Sequence, residues 1–75
     1  MKSAEEQWLN ERQQIVEAEI DRLDMRAPGI NARVADPSHA EHEQARWTAL
    51  WDLRQRALLV EERDAIRAAR ARLTT

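Results

Sequence analysis

The chain has 75 residues, 35% of them charged, with a formal net charge of −2, one glycine, two prolines and no cysteine. A chain this short forms one small domain at most, and without cysteine it has neither disulfide staples nor thiolate metal ligands to hold it together. Its Ala, Glu, Arg, Leu and Gln are the make-up of long exposed helices, so the expected fold class is all-α.

Charge is nearly balanced, with five basic and eight acidic residues over positions 1–37, then seven basic and six acidic. That balance argues against nucleic acid as a partner. The longest apolar run, Ala57 to Val60, falls far short of the ~20 residues a membrane span needs. No apolar segment near the N-terminus has the form of a signal peptide, so the expected location is the cytoplasm.

Helix one is expected from about residue 4. Ser3 and Glu6 have the capping-box spacing, and Glu5 suits the positive end of the helix dipole. Leu9, Val16, Ile20, Leu23 and Ala27 form one stripe, and Trp8 and Ile15 widen it to one side. Pro28 removes an amide donor and Gly29 loosens the backbone. The four-then-three spacing nevertheless continues through Leu23, Ala27, Ile30 and Val34, which predicts a helix kinked near 28 that reaches about 35.

Asp36-Pro37-Ser38 is the clearest turn, and Ser38 with Glu41 repeats the capping-box spacing. Helix two is expected over about 39–73. Two helices of nearly equal length joined by a short turn imply an antiparallel hairpin in a single domain. In the predicted register Leu9 meets Ala65, Val16 meets Leu58, Leu23 meets Trp51 or Leu50, and Ala27 meets Trp47. Glu5, Glu6 and Glu11 then come alongside Arg63, Arg67 and Arg70.

Helix two carries two apolar stripes that point in nearly opposite directions. One comprises Trp47, Trp51, Leu58, Ala65, Ala69 and Leu73, and the other Leu50, Leu53, Ala57 and Val60. A hairpin buries only one of them. The hairpin core is therefore expected to comprise Leu9, Val16, Ile20, Leu23, Ala27, Trp47, Trp51, Leu58 and Ala65. The surface left for a partner is Leu50, Leu53, Ala57 and Val60, with Trp8 and Ile15 at the flank. Burial of a large aliphatic side chain is worth ~1.5–3 kcal/mol, so this surface favours a homodimer forming a four-helix bundle, with coiled-coil-like packing.

Residue types that carry chemistry are sparse. His39 and His42, with Glu41 and Glu43, resemble metal ligands, but zinc sites recruit three or four protein ligands and the His-Glu-x-x-His pattern is absent. No metal, cofactor or catalytic residue is expected. The C-terminal arginines Arg63, Arg67, Arg70 and Arg72 are interleaved with Glu61, Glu62 and Asp64 and complement the negative end of the helix.

The stretch Glu19-Ile20-Asp21-Arg22-Leu23-Asp24 resembles part of the first helix of the small all-helical chorismate mutases. The resemblance implies an enzyme that holds a dianionic substrate with arginines and a lysine inside an intertwined helical dimer. Here Lys2 is the only lysine and Pro28-Gly29 interrupts the long helix, so none of that family's active-site residues carries over. The leading expectation is a non-enzymatic interaction or assembly module, such as an adaptor, regulator or phage-type accessory protein. The alternative is a subunit, inhibitor or antitoxin-like chain that docks its second stripe on a larger protein.

Overall fold

The computed structural model describes residues 3–74. They form two helices, α1 (Ala4–Val34) and α2 (His42–Thr74), packed against each other as an antiparallel hairpin. No strand occurs among the described residues. The molecule is a rod with Cα extents of 57 × 16 × 13 Å.

Ser3 caps α1, its hydroxyl accepting the Glu6 amide at 3.1 Å, with Glu5 and Glu6 in the first turn. The hydroxyl satisfies one amide donor that the first turn leaves free, and the two carboxylates suit the positive end of the helix dipole. The helix continues through Pro28-Gly29 to Val34, because the apolar register beyond the pair still places Ile30 in the core. Gly29 does not have a positive φ, so its backbone is ordinary helix.

The connection is longer than the sequence implies. Residues 35–41 lie between the helices, and α2 begins at His42. The expected Ser38–Glu41 cap is replaced by a tighter local arrangement: Asp36 Oδ1 accepts both the Ser38 amide (3.1 Å) and the Ser38 hydroxyl (2.6 Å). With its hydroxyl engaged there, Ser38 does not start the helix. His39 Nδ1 instead accepts the Glu41 amide at 3.0 Å, and His42 Nδ1 donates to the Arg33 carbonyl at 3.2 Å.

The buried apolar side chains among the described residues are Leu9, Val16, Ile20, Leu23 and Ile30 on α1 and Ala45 and Ile66 on α2. Leu9, Val16, Ile20 and Ile66 cluster, and Leu59, Val60 and Ala69 pack partly buried against them. On α1 the inward row is the stripe seen in the sequence. On α2 it is another row, three and four residues apart: Ala45, Ala49, Asp52, Arg56, Leu59, Arg63, Ile66 and Arg70, all buried or half-buried.

The expected seam on α2 therefore requires correction. Trp47, Trp51 and Leu58 are 67%, 62% and 53% exposed, and Ala65 is also exposed. The physical reason is charge. Arg26 forks onto the carboxylate of Asp52, which is buried in the seam. Arg56 pairs with Asp24 at 2.7 Å and Arg12 with Glu62 at 2.6 Å. Turning Trp51 and Leu58 inward would carry Asp52 and Arg56 away from their partners on α1. Register changes accordingly: Leu23 and Ala27 share a crevice with Ala49, Asp52, Leu53 and Arg56, rather than meeting Trp51 and Trp47. At the open end Arg67 meets Glu17 at 3.0 Å and Arg70 donates to Gln13, in place of the expected contacts with Glu5, Glu6 and Glu11.

Candidate interaction surface

Two apolar surfaces remain on the outside of the hairpin. The broader one is built by both helices. Trp8 and Ile15 are seven residues apart on α1, and Trp51, Leu58 and Ala65 are spaced by seven on α2, so each set forms one column along its helix. The columns border the same flank. Trp51 lines a shallow crevice with Glu19, Arg22, Arg26 and Gln55, and the Arg12–Glu62 pair spans the helices between Trp8 and Ile15 on one side and Leu58 and Ala65 on the other. Trp8 is 60% and Ile15 54% exposed. Trp47, one turn before Trp51, extends the surface toward the turn.

The second surface belongs to α2 alone. Leu50, Leu53 and Ala57 are exposed, and Leu53 lies at the rim of the Ala27–Ala49 crevice. Val60, expected in this row, is half-buried and packs against the hairpin's own core, so it is not part of a free surface. On α1 this side is polar: Asp24 pairs with Arg56, Glu17 with Arg67, and Gln13 accepts from Arg70.

The carboxylates that bridge the helices are held below their ordinary range. For Glu62 the Arg12 hydrogen bond lowers it, for Asp24 the Arg56 hydrogen bond, and for Glu17 hydrogen bonds from Gln13 and then Arg67. These groups are structural in their contacts. Within the stretch that resembles chorismate mutases, Ile20 and Leu23 are core residues, Arg22 pairs with Glu19 at 2.8 Å, and Asp24 is engaged by Arg56. His39 and His42 bind backbone at the turn. No group of three or more His, Cys, Asp or Glu side chains converges as a metal site among the described residues. No described helix is long and apolar enough to cross a membrane.

The spacing that carries the inward row of α2 was available in the sequence but was masked by its charges. Asp52, Arg56, Arg63 and Arg70 occupy positions that apolar periodicity passes over. The signal that identifies them is complementarity with the charges of α1. The chain matches no family model, and no curated protein or solved structure shows significant similarity to it.

Proposed function

We propose that this chain is a non-enzymatic assembly module that acts by joining protein chains, foremost as a homodimer in which two hairpins form a four-helix bundle. One observation carries the reading. The hairpin buries few large side chains, while Trp8, Ile15, Met25, Trp47, Leu50, Trp51, Leu53 and Leu58 all remain more than half exposed. Large apolar side chains grouped on the surface mark interaction sites, and a core this small gains stability from association. Tryptophan is also the residue type most enriched where partners anchor.

A second reading rests on the separate row Leu50, Leu53 and Ala57. It lies on one helix only, the form in which an amphipathic helix enters a groove on another protein. Light scattering of the purified chain tests the leading reading. The expected mass is twice 8.8 kDa. A fully helical monomer would overturn self-association, and a poorly helical monomer that folds on adding a partner protein would favour the second reading.

A further inference from the structure

We draw no further inference here: the strongest candidate, the exposed apolar flank of the hairpin that bears Trp8, Ile15, Trp51 and Leu58, carries nothing beyond the reading above, because nothing in the structure shows what covers it.

Discussion

Asp52 and Ile66 show how few residues decide which side of α2 turns inward. Asp52 is buried in the seam and is gripped by both ends of the Arg26 guanidinium fork. A partly exposed ion pair contributes little net stability, so its main consequence is selection: the rotation that would bury Trp51 strands this carboxylate. Ile66 supplies the apolar anchor on the same face, the one buried large aliphatic side chain of α2 among the described residues. Ile66→Ala is expected to destabilise the protein by ~2–5 kcal/mol through lost burial and a residual cavity. Leu53→Ala, on a side chain 68% exposed, is expected to change little within the hairpin. Urea unfolding at fixed protein concentration, followed by circular dichroism, compares the two, and equal effects would contradict the seam.

At the scale of the helix, α1 holds a weakness at its exposed side. Pro28 has no amide to donate to the Asp24 carbonyl, and Gly29 adds unfolded-state entropy. A Cβ at Gly29 would meet only the Arg33 guanidinium at 3.9 Å, an ordinary contact, so Gly29→Ala is expected to stabilise by ~0.5–1 kcal/mol. A lower urea midpoint would contradict this. The pairing of the helices is sensitive to acid. Asp24, Glu17 and Glu62 have folded pKa values below their ordinary range, so the unfolded chain binds protons more readily. Their contribution is complete above the ordinary carboxylate range near pH ~4 and is lost as pH falls through the lowered folded values. The urea midpoint is expected to drop between pH 7 and pH 3, and Glu62→Gln is expected to reduce that drop.

The two helices also differ in how much of them was legible. For α1 the apolar stripe and the inward row coincide, so Leu9, Val16, Ile20 and Leu23 are read directly from spacing, and even continuation through Pro28 follows from Ile30 and Val34. For α2 the tryptophans and most of the leucines occupy the outer faces, and the inward row is half charged. Apolar periodicity identifies surfaces that shed water. It does not say which of them meets the neighbouring helix, and here the side of α2 that does so is the one whose Asp52 and Arg56 pair with Arg26 and Asp24.

For the whole molecule, the proposed dimer would make stability and association one quantity. If the hairpin is completed by a second copy, unfolding releases two chains from one folded unit, and mass action makes the melting temperature depend on concentration. A tenfold change in concentration corresponds to about 1.4 kcal/mol. For a folded unit of two such chains, a shift of roughly 3–6 °C follows. Thermal melts followed by circular dichroism are therefore expected to move upward by that amount with each tenfold rise in protein concentration, as a single transition. A double variant at two exposed apolar positions, Ile15→Glu/Leu58→Glu, is expected to lose the dependence and melt at lower temperature, because the small seam of Leu9, Val16, Ile20, Leu23, Ile30, Ala45 and Ile66, with Leu59, Val60 and Ala69 partly buried against it, then holds the hairpin alone. A wild-type melting temperature that stays constant across concentration would mean that this short row, laced by its ion pairs, is sufficient on its own. The exposed tryptophans would then have to be explained by something other than a second hairpin.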